Sequence, residues 1–279
     1  MLSLMRLPFT KMQGLGNDFI VFEAESDAQI PPPQRLRELA DRRLGIGFDQ
    51  ALVLQPPRRS GTDVYYRIFN ADGSEVEQCG NGARCIASLI AKKVRERPVL
   101  NMDSLGGVVQ AKVVGEGEVA VDMGIPDFSP PALPFDAARE ADTYDIEVKG
   151  QSLRIGAVSM GNPHAVMHVP DVGTAPVDTI GPAMENHTRF PRRVNVGFMQ
   201  VVTTSHIRLR VFERGVGETL ACGTGACAAV AVGRRWGLLD AKVNVDLPGG
   251  RLRIEWAGPG AHLWMTGPAV SVFDGHVNV

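Results

Sequence analysis

The chain has 279 residues, of which 44% are hydrophobic and 22% charged, and its 29 lysines and arginines nearly balance 31 aspartates and glutamates, giving a net charge of −2. These values are typical of a folded globular protein and exclude a disordered or collagen-like chain. The near-neutral charge offers no basic field for nucleic acid, and no apolar run reaches the roughly 18 residues of a membrane span. The N-terminus also lacks the features of a signal peptide, so we expect a cytoplasmic protein without nucleic-acid or membrane partners.

The first predicted elements are a strand and a helix. An apolar strand covers residues 19–22, directly after Gly16 and Asn17. A helix is predicted near residues 34–44, because four apolar residues recur there at helical spacing. These four residues are Leu36, Leu39, Ala40 and Leu44.

A cysteine turn between a strand and a helix follows. Residues 67–70 are β-branched and aromatic, which favours a strand, and residues 86–91 form an apolar helix-like run that ends in two lysines. Between them, residues 79–83 have the sequence Cys-Gly-Asn-Gly-Ala. The pattern therefore predicts a strand, a glycine-rich turn and a helix that begins next to Cys79.

The C-terminal half of the chain repeats this order. The cysteine turn recurs at residues 222–226 as Cys-Gly-Thr-Gly-Ala, 143 positions after the first. Several other segments match in the same order at similar offsets. The matched pairs are Asn17 with Asn162, the helix near 34–44 with one near 178–187, 47–50 with 197–200, and 67–70 with 210–213. The sequence therefore predicts an α+β protein with two pseudo-symmetric lobes that arose by internal duplication.

One segment joins the two halves of the chain, and another segment follows the second half. Residues 126–143 contain four prolines and no periodic pattern, which indicates a connector. The tail after Gly267 alternates like a strand and could pair with either lobe.

The four cysteines fall into two pairs by their setting. No C-x-x-C spacing of a zinc or redox site is present, and four cysteines are too few for a disulfide scaffold in a chain of this length. Cys85 and Cys227 lie in apolar runs and are expected in the core. Cys79 and Cys222 begin the two Gly-x-Gly turns.

A cysteine at a helix N-terminus is suited to proton transfer. The unpaired N–H groups and the positive end of the helix dipole are expected to lower the thiol pKa, and the glycines let the backbone approach a carboxylate closely. Two such cysteines, one per lobe, could remove an α-proton from one face of a carbon and deliver a proton to the other. This interpretation predicts racemisation or epimerisation with no cofactor and no metal.

Four segments resemble the signatures of diaminopimelate epimerases. They are Gly-Leu-Gly-Asn-Asp-Phe at 14–19, Asn-Ala-Asp-Gly-Ser with the first cysteine turn at 70–84, Gly-Asn-Pro-His at 161–164, and the stretch from Glu213 to Gly225. The resemblance runs from about residue 9 to the C-terminus. It implies a cofactor-independent isomerase that interconverts LL- and meso-diaminopimelate for lysine and peptidoglycan synthesis.

The resemblance also implies how the lobes are built. Each lobe would be a mixed sheet wrapped around a central helix, with the C-terminal tail returning to the first lobe. The lobes would then comprise residues 1–125 with 267–279, and residues 144–266, on either side of the connector. Phe273 stands where the family often has a tyrosine at its dimer contact; the ring is kept, so a homodimer is expected.

Site residues follow from the same resemblance. Cys79 and Cys222 would be the acid/base pair, and His164 and the Glu213 side chain would orient the reacting centre. The other implied residues bind diaminopimelate. Those at the reacting end are Asn17, Gln50, Gly80, Asn81, Gly223 and Thr224, and those at the far end are Asn70, Asn162, Asn195, Arg214 and the backbone of Glu213.

Three other functions compete with this one. Proline racemase-like enzymes share the Cys-Gly-x-Gly turn but are expected to carry Asp-Arg-Ser-Pro before the second cysteine, where this chain has Thr219-Leu220-Ala221. Relatives that serve as binding modules lack the paired cysteines. A four-cysteine metal protein would need a different spacing.

Overall fold

The computed structural model describes residues 6–77, 79–93 and 99–279, and within them the chain forms eighteen strands and four α-helices. The strands of the first half are β1 Arg6–Gly14, β2 Asn17–Glu23, β3 Gln50–Gln55, β4 Val64–Asn70, β5 Glu75–Val76, β6 Val99–Ser104, β7 Gly107–Gly115, β8 Glu118–Asp122 and β9 Tyr144–Val148. The remaining strands are β10 Gln151–Ser159, β11 Pro163–His168, β12 Asn195–Thr203, β13 His206–Glu213, β14 Gly217–Thr219, β15 Lys242–Leu247, β16 Gly250–Trp256, β17 Leu263–Pro268 and β18 Val270–Asn278. The helices are α1 Pro33–Ala40, α2 Gly80–Lys93, α3 Val177–Glu185 and α4 Gly223–Arg235.

The chain divides into two compact units. One unit comprises Met1–Val121 and Gly267–Val279, and the other comprises Asp122–Thr266. The tail strand β18 pairs antiparallel with β1 of the first unit. The pairing places Phe273 beside Lys11, with the Phe273 ring edge-on to Phe9 at 6.0 Å and half of the residue exposed.

The two units repeat one strand-pairing scheme. In the first unit, β2 runs parallel to β3 across α1, β3 pairs antiparallel with β4, and β4 runs parallel to β6 across α2. In the second unit, β11, α3, β12, β13, α4 and β15 follow in the same order with the same directions. A short strand (β5 or β14) pairs with the middle strand in each unit, and an antiparallel hairpin follows the second helix. The mixed sheets and the duplicated order predicted from the sequence are confirmed.

Helices α2 and α4 are buried within their own units. Residues Asn81–Ser88 of α2 and Gly225–Gly233 of α4 are all buried. Helix α4 contacts β10, β11, β12, β13 and β16, and α2 contacts β1, β2, β7 and β18. Small residues allow this close packing: a Cβ on Gly156 of β10 would lie 2.4 Å from Val232 Cγ1 of α4. Each sheet therefore surrounds one helix whose N-terminus begins beside a cysteine.

The predicted extent of the first helix is wrong at its end. Helix α1 ends at Ala40, and Leu44 is 91% exposed rather than part of an apolar stripe. The cause is Asp41, whose Oδ1 accepts the backbone N–H groups of Arg43 and Leu44 at 2.7 Å each and forms a separate turn. Residues Leu36, Leu39 and Ala40 do pack in the core as predicted.

Residues 126–143, where the sequence indicates a connector, pack against the second unit. Asp127 forms a bridge with Ser159, and Leu133 and Phe135 are buried in the core cluster of that unit. Phe135 stacks on Phe190 with ring centroids 4.5 Å apart. The segment is therefore packed into the core of the second unit.

No helix of the described residues combines the length and apolar character needed to cross a membrane.

Candidate active site

Cys79 lies at the start of helix α2. Its Sγ accepts the backbone N–H of Gly82 at 3.4 Å, and its carbonyl oxygen accepts the N–H of Ala83 at 2.9 Å. Gly80 is the first helical residue and is half-buried. The glycine-rich turn thus places the thiol and the free N–H groups of a helix N-terminus next to each other.

A chain of side-chain amides surrounds the Cys79 thiol. The thiol donates to Asn17 Oδ1 at 3.8 Å, and Asn81 Nδ2 donates to the same oxygen at 3.3 Å. Asn17 Nδ2 in turn donates to Asp49 Oδ2 at 2.9 Å, and the fully buried Arg84 donates to Asn81 Oδ1 at 2.9 Å. The structure thus brings the predicted residues Asn17, Cys79 and Asn81 together and adds two charged residues.

The Asp49 carboxylate belongs to an ionic cluster at the ends of β2 and β3. Arg42 donates to Asp49 Oδ1 at 2.8 Å and to both oxygens of Asp18, and Lys11 lies 2.6 Å from Asp18. Partial burial alone would raise the pKa of Asp18, but the hydrogen bonds from Arg42 and Lys11 outweigh it and lower the pKa to about 2. Asp18 therefore stays ionised at neutral pH, and the cluster holds the end of the loop that carries Asp49.

Gln50 and Asn70 form a second polar pair in the first unit. Gln50 Nε2 donates to Asn70 Oδ1 at 3.0 Å, and Asn70 Nδ2 donates to Ser74 Oγ at 3.1 Å. Gln50 Oε1 is buried and has no hydrogen-bond partner among the described residues. A buried acceptor of this kind is unfavourable unless a ligand donates to it.

Cys222 occupies the corresponding position in the second unit. It is the N-cap of α4, and its Sγ accepts the N–H of Gly225 at 3.4 Å and lies 3.6 Å from Thr224 Oγ1. Gly223 is the first helical residue. The Glu213 carboxylate at the end of β13 accepts a hydrogen bond from Thr219.

The expectation that the helix N-terminus lowers the thiol pKa is wrong for Cys222. Burial raises the pKa of the Cys222 thiol well above its ordinary value, and the negative charge of Glu213 raises it further. The hydrogen bonds from Thr224 and Gly225 oppose this shift and are outweighed. Cys222 is therefore a protonated thiol at neutral pH in this structure.

His164 and Asn162 support Thr224. Asn162 Nδ2 donates to Thr224 Oγ1 at 3.4 Å, and His164 Nε2 lies 2.9 Å from Asn162 Oδ1. Burial, with a smaller contribution from the charge of Arg214, lowers the pKa of His164 to about 3. The imidazole is therefore neutral, and because it faces a carbonyl oxygen its proton lies on Nε2.

Two buried acceptors hold the turn that carries Arg214. Asn195 Oδ1 accepts the N–H of Arg214 at 2.9 Å, and Asn195 Nδ2 donates to the Pro163 carbonyl oxygen at 2.9 Å. Glu185 Oε1 accepts the N–H of Gly215 at 2.7 Å. Both ends of the Asn195 side chain are thus engaged by backbone groups, while the Arg214 side chain is exposed.

Sequence reasoning assigned no role to three residues that the structure places beside predicted ones. Asp49, Arg84 and Glu185 each bind a predicted residue or the turn that carries one. Asp49 and Arg84 lie within matched segments, so their position could have suggested a role. Glu185 is a helix-end glutamate that only the fold brings to Gly215.

Comparison with known proteins identifies close sequence relatives. A profile of the family described as "Diaminopimelate epimerase" matches residues 9–129 and 156–272. Proteins named diaminopimelate epimerase from Alkalilimnicola ehrlichii and Pseudomonas aeruginosa are 56% and 52% identical to this chain; each alignment covers 99% of this chain and 100% of the relative. A third, from Laribacter hongkongensis, is 55% identical with the same coverage.

Solved structures of lower identity share the fold. A hydroxyproline epimerase from Agrobacterium vitis, solved with trans-4-hydroxy-L-proline, has a TM-score of 0.68 at 15% identity, with 98% of this chain and 93% of that chain covered. A PhzF-family phenazine biosynthesis protein from Bacillus anthracis has a TM-score of 0.66 at 16% identity, with 99% and 100% covered.

Proposed function

The chain belongs to the diaminopimelate epimerase family, and we propose that it interconverts LL- and meso-diaminopimelate by proton transfer between the thiols of Cys79 and Cys222. The observation that carries this proposal is the repeated thiol geometry. Each Sγ accepts a backbone N–H three residues ahead at 3.4 Å, at the first turn of a buried helix. The family favours this function over the proline racemase branch, and the paired cysteines favour it over a binding module.

The reaction needs one thiolate and one thiol. The thiolate takes the α-proton, so that a C–H bond breaks and an S–H bond forms, and the other thiol gives its proton to the opposite face of the carbon. The two sulfurs end with exchanged protonation, and nothing else is consumed. The backbone N–H groups at Gly80, Asn81, Gly223 and Thr224 would bind the substrate carboxylate and stabilise the charge that develops next to it.

The remaining polar groups fit a substrate with ammonium and carboxylate groups at both ends. Gln50 Oε1 is a buried acceptor that an ammonium group would satisfy. Arg214 is exposed and provides a guanidinium for the second carboxylate. Sites that pair each polar group of a substrate reject molecules that lack those groups.

We further propose that the protein is a cytoplasmic homodimer that supplies precursors for lysine and peptidoglycan. Support for the dimer comes from strand β18, on which Val270, Val272 and Phe273 are exposed apolar residues of an edge strand.

Proton NMR in D₂O tests the reaction directly. Reduced protein is expected to exchange the α-proton of LL-diaminopimelate for deuterium and to form the meso isomer, whereas proline as a parallel substrate remains unchanged. Cys79→Ala and Cys222→Ala are each expected to lose epimerisation, because one partner of the pair is missing. Full epimerisation by either variant would rule out the two-thiol mechanism, and exchange with proline alone would move the chain to the racemase branch.

A further inference from the structure

The side-chain amide of Asn17 has a fixed direction. Its nitrogen donates to Asp49 Oδ2, and its oxygen accepts from Asn81 Nδ2. An ionised carboxylate can only accept a hydrogen bond and a guanidinium can only donate one. Because Arg84 donates to Asn81 Oδ1, the Asn81 nitrogen must face Asn17. The charged residues at the two ends of this chain of amides therefore decide which end of Asn17 faces Cys79.

The direction matters because the Asn17 oxygen is the atom that faces the sulfur, 3.8 Å from Cys79 Sγ. An acceptor beside a thiol stabilises the S–H form and destabilises the thiolate. A destabilised thiolate is a stronger base, which favours removal of a weakly acidic α-proton. The reversed amide would instead donate to the thiolate and make it a weaker base.

We propose that Asp49 is a positioning residue of the reaction, because it orients the Asn17 amide so that Cys79 faces a hydrogen-bond acceptor. Asp49 is itself held by Arg42 at 2.8 Å and by the backbone N–H of Asp18 at 3.1 Å. The proposal rests on the proposed function, which makes Cys79 one of the two proton-transfer groups.

The second unit provides an internal comparison. The segment Gly47-Phe48-Asp49-Gln50 corresponds to Gly197-Phe198-Met199-Gln200, so a methionine stands where the first unit has Asp49. The equivalent amide, Asn162, points the other way: its oxygen faces His164 Nε2, and its nitrogen donates to Thr224 beside Cys222. The duplicated fold therefore does not by itself fix the amide direction, and in the first unit the Asp49 carboxylate fixes it.

The titratable side chains around Cys79 should not interfere with a measurement of the ionisation of its thiol. Tyr66 of β4 and Cys85 of α2 both act electrostatically with Cys79, and burial raises the pKa of each to about 12. Arg84 stays charged. The ionisation of the Cys79 thiol can therefore be followed separately from these groups through its own alkylation.

The test is the pH dependence of Cys79 alkylation by iodoacetamide, followed by mass spectrometry of the Cys79 peptide in the full-length reduced protein. Asp49→Ala is expected to shift the midpoint to lower pH by on the order of one unit, since the Asn17 amide becomes free to reverse. Its kcat for epimerisation is expected to fall about tenfold with KM changed less than about twofold, because Asp49 does not contact substrate. Glu25→Ala, which removes an exposed carboxylate of the same unit, is the control and should change neither quantity.

The Asp49→Asn variant distinguishes the effect of the Asn17 orientation from the effect of the Asp49 charge. This variant removes the negative charge but keeps an acceptor oxygen for Asn17, so its midpoint should lie closer to wild type than that of Asp49→Ala. Equal shifts in both variants would show that charge alone acts on Cys79 and would overturn the proposal, as would an unchanged midpoint in folded Asp49→Ala protein. If Asp49→Ala does not fold, Asp49→Leu, which is close to aspartate in size and offers no acceptor to Asn17, takes its place with the same expected downward shift. Alkylation needs no turnover, so failure of the proposed epimerase function would be seen separately, as wild-type protein that does not epimerise diaminopimelate.

Discussion

Single side chains in this protein act through the direction of their hydrogen bonds. Asn17 and Asn195 each contact a partner that fixes which end of the amide donates: a carboxylate for Asn17 and the Pro163 carbonyl oxygen for Asn195. An amide with a free choice of direction could support either the thiol or the thiolate. The Asn17 amide thus presents an acceptor to Cys79, whereas burial and the charge of Glu213 keep the Cys222 thiol protonated.

His164 gives a prediction at the same scale. Its pKa is lowered from 6.5 to about 3 by burial and then by Arg214, so below pH 6.5 the unfolded chain binds a proton that the folded protein does not. The stability that the neutral imidazole contributes is complete above pH 6.5 and is lost as the pH falls toward 3. In His164→Gln, which keeps an N–H for Asn162, we expect the free energy of unfolding to change less steeply with pH. The slope should fall by about 1.4 kcal/mol per pH unit. Urea unfolding of the wild-type protein and of His164→Gln at several pH values between 3 and 6.5 tests this prediction. If the free energy of unfolding varied with pH in the same way in both proteins, the prediction would be wrong.

Helices α2 and α4 place their N-termini accurately because each is buried among strands. Helix α4 consists largely of glycine, alanine and valine, and residues Gly225–Gly233 are buried on every side. Dense packing of this kind leaves little freedom for the helix to shift along its axis. The position of Cys222 is therefore set by contacts along the whole helix.

A glycine facing α4 tests this packing. Gly156→Ala would place a Cβ 2.4 Å from Val232 Cγ1 and 3.0 Å from Trp236 Cζ2. We expect a loss of about 1–3 kcal/mol in the free energy of unfolding, as for other overpacked cores. Gly115→Ala on β7 is the control, since the nearest atom to its Cβ is 4.0 Å away. Equal stability of the two variants in denaturant titrations would show that α4 can move.

At the scale of the whole molecule, duplication preserved structural contacts and let the chemistry diverge. Arg67 binds Glu75 through two hydrogen bonds of 2.6 and 2.7 Å, and Arg210 binds Glu218 at 2.6 and 2.8 Å in the equivalent strands. The groups around the two cysteines differ, with an ionic cluster near Cys79 and a neutral histidine near Cys222. Two thiols in different surroundings suit the proposed reaction, which can start from either of two different stereoisomers.

The proposed homodimer is tested by sedimentation. Wild-type protein is expected to sediment at twice the protomer mass at micromolar concentration. Phe273→Lys should shift the protein toward the monomer, because it places a charge on the exposed apolar part of β18. Val202→Lys, which changes an exposed valine of the other unit, serves as the control. A monomeric wild type, or a dimer unaffected by Phe273→Lys, would refute this interface.

The duplicated α+β fold, the strand before each cysteine turn and the helix after it could all be predicted from the sequence. These features depend on local periodicity, on the placement of glycines and on a repeat, and all three can be recognised in the order of the residues. The end of α1, the contacts of Asp49, Arg84 and Glu185, and the raised pKa of Cys222 became evident only in the folded protein. Amide direction and burial depend on residues far apart in the chain: Asn17 meets Asp49 and Asn81, and Cys222 is desolvated by a whole unit. No pattern of neighbouring residues contains that information, because the fold alone brings those partners together.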